Sequence, residues 1–198
     1  MRILVFDVET SGLNPELNAL TQISAGVCDF LPDWSEYEVI ETFDTLVKPI
    51  PGLLYEDKAL DIQRRTLDEL KTGKQIGNAF LGVQDLVERH FGAAKCCTPY
   101  GVNVKFDIDF MDANAKRYNL RMPFNFVYRD ICQWFRLLQD LGRHTQYRAN
   151  LDTILSHYGI EIEEAARHTA KGDVIATVEA IRFMMKDFKA GASTGDLT

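Results

Sequence analysis

The chain has 198 residues, 46% of them apolar and 26% charged, the balance of a folded protein with one sizeable core. Its 22 basic and 29 acidic side chains leave a formal charge of −7. This excludes a general basic surface for coating nucleic acid, because neutralising phosphates takes Lys and Arg at the contact; it does not address a local patch or a bound metal.

Arg2 to Thr10 is a β-rich apolar run, Leu20 to Phe30 a second, and Tyr37 to Val47 a third, ending at Lys48-Pro49. The short links Gly12-Leu13-Asn14-Pro15 and Leu31-Pro32-Asp33 predict antiparallel neighbours. Phe80, Val83, Val87 and Phe91 recur at steps of three and four, predicting a helix from about Asn78 to Phe91. A fourth strand near Cys96 to Asn103 leads into a helix with Ile108, Met111, Ala115 and Tyr118 on one face. A fifth strand, Phe124 to Arg129, precedes a helix that Asp130 caps; Asn150 caps another, with Leu151, Ile154, Leu155 and Tyr158 inward. The last helix runs from about Ala170 to Phe188, with Val174, Val178, Ile181, Met185 and Phe188 aligned. A β-meander followed by alternating elements predicts an α/β fold with helices against a mixed sheet. The expected organisation is one domain over residues 1–188 and a small, polar, flexible tail over 189–198.

Cys28, Cys96, Cys97 and Cys132 form no C-x-x-C pair and read as buried free thiols. The apolar start breaks at Asp7, too early for a signal peptide, and no apolar run approaches the ~20 residues that span a bilayer. A cytoplasmic location without a membrane partner is expected. The aromatic stretches Phe124–Tyr128 and Trp134-Phe135 read as core, and Lys105, Arg117 and Arg121 as a solvated helix face.

Three stretches place acids where acids are costly. Asp7 and Glu9 interrupt the first strand two residues apart, so they share a face, with Phe6 and Val8 on the other. Paired carboxylates at the end of a central strand repel each other unless the end is solvated or a cation compensates them. In Asn103-Val104-Lys105-Phe106-Asp107-Ile108-Asp109 a strand ends and a helix starts, where either aspartate also suits the helix dipole and Asn103 suits a turn. His168 precedes the last helix and Asp173 lies in its first turn; both can face one site, or be a surface histidine and a helix-start acid. His90, His144 and His157 read as structural or solvated.

Together these stretches resemble the DEDD superfamily of 3′→5′ exonucleases, in its histidine (DEDDh, DnaQ-like) branch, which includes the epsilon proofreading subunit of bacterial DNA polymerase III, ribonuclease T and oligoribonuclease. Asp7-Val8-Glu9-Thr10-Ser11-Gly12 matches the first motif, Asn103-Val104-Lys105-Phe106-Asp107 the core of the second, and His168-Thr169-Ala170-Lys171-Gly172-Asp173 the third. Val102 stands where the family usually has a histidine.

The resemblance implies a ribonuclease H-like, five-stranded mixed sheet of order 3-2-1-4-5 with strand two antiparallel. It implies that Asp7, Glu9, Asp107 and Asp173 hold two Mg²⁺ or Mn²⁺ ions, with Asp7 bridging them. His168 would take the proton from the attacking water, and Thr10, Leu13, Asn103 and Phe106 would contact the terminal nucleotide. The expected activity is metal-dependent release of nucleoside 5′-monophosphates from the 3′ end of single-stranded nucleic acid, DNA favoured. Alternatives are an exoribonuclease acting on short RNA or RNA 3′ ends and a nuclease-fold accessory or scaffolding subunit of a polymerase. Expected partners are the nucleic-acid 3′ end and a polymerase or another replication or repair protein.

Overall fold

The computed structural model describes residues 1–162 and 169–193, with side chains through residue 190; His168 and residues 194–198 of the expected tail lie outside them. Three strands open the chain, β1 (Arg2–Thr10), β2 (Leu20–Phe30) and β3 (Tyr37–Leu46). β1 pairs antiparallel with β2, Asp7 opposite Ser24, and β2 pairs antiparallel with β3, Ser24 opposite Asp44. β4 (Pro99–Gly101) and β5 (Arg129–Asp130) add in parallel on the other side of β1, giving the order β3-β2-β1-β4-β5. This is the ribonuclease H-like mixed sheet that was expected.

β1 is central, and its pleat sends alternate side chains to opposite faces. Leu4, Phe6 and Val8 enter one core. There they meet Phe80 and Val83 of α3 (Ile76–Phe91) and Phe110 and Met111 of α4 (Val104–Tyr118). Ile3 and Val5 enter the other core, with Phe135 of α5 (Ile131–Asp140) and Val174, Val178 and Ile181 of α7 (Ala170–Ser193). Between these two helices, α6 (Leu151–Tyr158) packs Leu151 and Leu155 against Ala176. The caps form as predicted: Asp130 accepts the Cys132 N–H at 2.9 Å and Asn150 the Thr153 N–H at 2.9 Å. No helix among the described residues is long and apolar enough to cross a membrane.

Several expectations are corrected. Two helices, α1 (Asp57–Gln63) and α2 (Leu67–Leu70), fill a stretch where none was predicted. α1 has too few residues for a clear period and no side-chain cap, and α2 is a single turn closed by a Thr66–Glu69 capping box. The fifth strand is only Arg129–Asp130, because Asn125 turns the chain before it: its N–H donates to the Cys97 carbonyl at 2.9 Å and its Oδ1 accepts the Val127 N–H at 3.2 Å. Phe124 is buried edge-on against Phe6 at 4.9 Å, but Phe126 is 86% exposed, so that run is not all core. The fourth strand is also short, since Ala94–Cys96 form a 3₁₀ turn that exposes Cys96; the other three cysteines are buried, and all four are free. The last helix runs past Phe188 to Ser193, with the Lys189 ammonium donating to the Pro32 carbonyl at 2.8 Å.

Candidate active site

The pleat that buries Ile3 and Val5 carries Asp7 and Glu9 onto the same face, toward α7. Glu9 is the last residue before a bulge at Glu9/Thr10 that ends the regular pairing with β2. Asp173 approaches from the first turn of α7, its N–H bonded to the Thr169 carbonyl at 2.9 Å. One carboxylate oxygen from each of Asp7, Glu9 and Asp173 lies within 4.8 Å of the other two, and all three residues are half-buried.

Asp107 reaches the strand end from α4. Asn103 opens that helix in the left-handed region, φ 51°, and its N–H donates to Asp130 Oδ1 at 3.1 Å. The same oxygen caps α5, so one carboxylate ties the starts of both helices. One turn on, Asp107 is 4% exposed and accepts the backbone N–H of Val8, while its Oδ2 is buried without a hydrogen-bond partner.

Two of these acids, Glu9 and Asp107, sit far from their ordinary equilibria. Burial pushes Glu9 up to about 8, with the Asp173 charge adding to it and Arg65 opposing it. Burial holds Asp107 well above the usual carboxylate range, against the Val8 N–H bond, and the charges of Glu9 and Asp130 raise it further. A carboxylate oxygen sealed from water costs free energy until something positive meets it. Converging carboxylates with one such oxygen are the donor set of a hard divalent cation, which takes oxygen ligands. The residues present therefore fit the metal centre that the sequence predicts.

Beside the acids lies a cleft of about 370 Å³ lined by Glu9, Thr10, Leu13, Ile62 and Phe106, among others. Leu13 is 81% exposed, and Phe106 rests on Phe110 at 4.9 Å. The Thr10 hydroxyl donates to the Gly12 carbonyl at 2.7 Å and shapes the turn after β1. Of the predicted substrate contacts, Thr10, Leu13 and Phe106 thus share the cleft with Glu9. Asn103 instead lines a neighbouring cavity with Val102, Asp130 and Asn150.

Sequence reading missed the opposite wall, which α1 supplies. Gln63 is buried; its Nε2 donates to the Thr10 carbonyl at 2.7 Å and its Oε1 accepts the Thr21 hydroxyl at 2.7 Å. Asn18 Nδ2 donates to Glu56 Oε1 at 3.1 Å directly over Gly12, where an added Cβ would come within 2.3 Å of both side chains. Only the polar Gln63 beside apolar Leu60 and Ile62 hinted at this contact in the sequence. Of the helix face read as solvated, Arg117 is half-buried and holds the Pro15 and Glu16 carbonyls at 3.3 and 3.1 Å, while exposed Lys105 pairs with Asp109. His90 pairs with Glu41 at 2.7 Å, while His144 stacks on Phe135 at 3.8 Å and bonds its carbonyl at 2.8 Å.

The sequence profile of the RNase_T family, described as exonuclease, matches residues 4–181. A PolC-type DNA polymerase III of Streptococcus suis is 27% identical over 185 residues, covering 93% of this chain and 11% of its own. Ribonuclease T of Vibrio vulnificus is 30% identical over 127 residues, 62% of this chain and 58% of its own. The chain thus spans about a tenth of the polymerase and just over half of the ribonuclease. Among solved structures, E. coli exonuclease I in complex with a dT13 oligonucleotide superposes with a TM-score of 0.78 at 20% identity, over 97% of this chain and 42% of that one.

Proposed function

This chain belongs to the RNase_T exonuclease family, and on that premise we propose that it is a metal-dependent 3′→5′ exonuclease of single-stranded nucleic acid, DNA before RNA. The observation that carries the reading is the convergence of Asp7, Glu9 and Asp173 within 4.8 Å beside a buried Asp107 oxygen that has no partner. A scaffold has no use for so costly a cluster.

Asp7, Glu9, Asp107 and Asp173 would hold two Mg²⁺ or Mn²⁺ ions. When bound, such a pair supplies charge that stabilises the attacking and leaving oxygens of an in-line displacement. His168, by its place in the third motif, takes the proton from the attacking water, a role suited to a neutral imidazole. The water oxygen bonds to phosphorus, the bond from phosphorus to the 3′ oxygen of the preceding sugar breaks, and a nucleoside 5′-monophosphate leaves. Leu13 and Phe106 flank the terminal base in the cleft, and Gln63 holds the Thr10 turn in place.

DNA and RNA oligomers of one sequence, labelled at either end and digested with Mg²⁺, test the reading. Stepwise shortening from the 3′ end, faster on DNA, is expected. Shortening from the 5′ end or internal cuts would overturn it, and faster loss of RNA would move the substrate to the exoribonuclease reading.

A further inference from the structure

Lys58 in the cleft wall, and Arg65 beyond it, whose charge acts on Glu9, supply positive charge that the metal chemistry does not use. α1 turns Lys58, Ala59, Ile62 and Gln63 toward the cleft, one stripe of a helix. Lys58 is exposed and makes no ion pair among the described residues. The chain leaves α1 through Arg64 in the left-handed region, φ 53°, and the Arg65 N–H returns to the Leu60 carbonyl at 3.0 Å. Gln63 pins this exit to Thr10, so the backbone of Arg65 is held at the strand end that carries Glu9.

The Arg65 side chain is poorly matched by the protein itself. Its Nε is buried and has no hydrogen-bond partner. Its ion pair with Glu69 is long, 3.8 Å from Nη1 to Oε1, and the other oxygen of Glu69 is engaged by Thr66. The Nε is sealed from water, so a ligand meets the terminal nitrogens of this partly exposed side chain, whose planar fork of N–H groups matches a phosphate. A nucleic-acid end entering beside four acids meets repulsion that nearby cations offset.

We propose that Lys58 and Arg65 form a phosphate grip that binds nonbridging oxygens of the last phosphodiesters of a single-stranded 3′ end. The inference rests on the exonuclease reading and adds to it a contact set that the carboxylate site lacks. It reads backbone charge, so it serves DNA and RNA alike and leaves the choice of sugar to the rest of the cleft. It also reconciles an acidic protein with a polyanionic substrate, since the grip is local and covers a few phosphates only.

The test is fluorescence anisotropy with 5′-fluorescein oligothymidylate and oligouridylate of equal length, in EDTA across a salt series. The same variants are followed in parallel by cleavage in Mg²⁺. Lys58→Gln and Arg65→Gln are each expected to weaken binding about tenfold and to flatten the salt slope by roughly 0.7, the share of one phosphate on a single strand. Arg65→Lys should recover much of the slope, and the melting temperatures of all three should stay near that of the parent. If the parent cleaves its oligomer but the variants keep its affinity and slope, or if the parent shows no salt-dependent binding, the grip is wrong. If the parent binds with a slope that the variants lose but cleaves neither polymer, the grip stands and the exonuclease reading falls.

Discussion

The Val8 backbone N–H is donated to the Asp107 carboxylate, so the strand that carries Asp7 and Glu9 also holds the acid delivered by α4. One oxygen of that carboxylate is thereby fixed, and the other, Oδ2, is left buried and unmatched. The site is built to a geometry that its own charges oppose.

Asp7→Asn and Asp173→Asn should each reduce cleavage by far more than the ~10²-fold that loss of an outer partner of a metal site costs. Neither change should lower the melting temperature of the metal-free protein, because each removes a charge from a repelling cluster. Activity assays and thermal melts on the same preparations check both halves.

Without metal, stability should fall as pH rises from about 4.5 to about 8. Glu9 has its folded value raised to about 8 from an ordinary 4.5, so the native state binds the extra proton across that window. The stabilisation is complete below the lower value and lost on passing the upper one. Over the full window the change is of the order of a few kcal/mol, and Asp107, shifted in the same direction, adds to it. Melts in EDTA across this range should show the decline, and Glu9→Gln should flatten it. Added Mg²⁺ should stabilise more at pH 8 than at pH 6.

Leu13→Ala should raise KM about tenfold and leave stability unchanged. The side chain is 81% exposed in the free protein, so truncation loses no core contact. Covering it against a base is worth roughly 1.5 kcal/mol or more. Steady-state kinetics beside a thermal melt separate this from a folding defect.

Gln63→Ala should destabilise by about 1–3 kcal/mol and reduce activity as well. It leaves the Thr10 carbonyl and the Thr21 hydroxyl buried without partners and frees the turn that follows Glu9. Denaturant unfolding measures the first effect and kcat/KM the second.

Much of this was legible in the sequence, for physical reasons. Long buried strands set β1 and β2, the β-rich run Tyr37–Leu46 set the more exposed β3, and long periodic helices set α3 and α7. The acids stood out because Asp7 and Glu9 break an otherwise apolar strand, and the motif resemblance joined them to Asp107 and Asp173. The wall formed by α1 was hidden because seven residues carry too little period to read, and because Gln63 acts through contacts with Thr10 and Thr21 far away in the chain. The aromatic run at 124–128 misled because β propensity says nothing of the contacts by which Asn125 turns the backbone toward Cys97 and Lys95.

The most direct measurement is a Mg²⁺ titration of the cleavage of a 5′-labelled single-stranded DNA oligomer by the parent and by Asp173→Asn. The parent should shorten the oligomer one nucleotide at a time from its 3′ end, with a rate that rises with Mg²⁺ and vanishes in EDTA, while Asp173→Asn stays at background throughout. Shortening that persists in EDTA, or that Asp173→Asn performs as well as the parent, would contradict the assignment of this carboxylate cluster as the metal-dependent nuclease site.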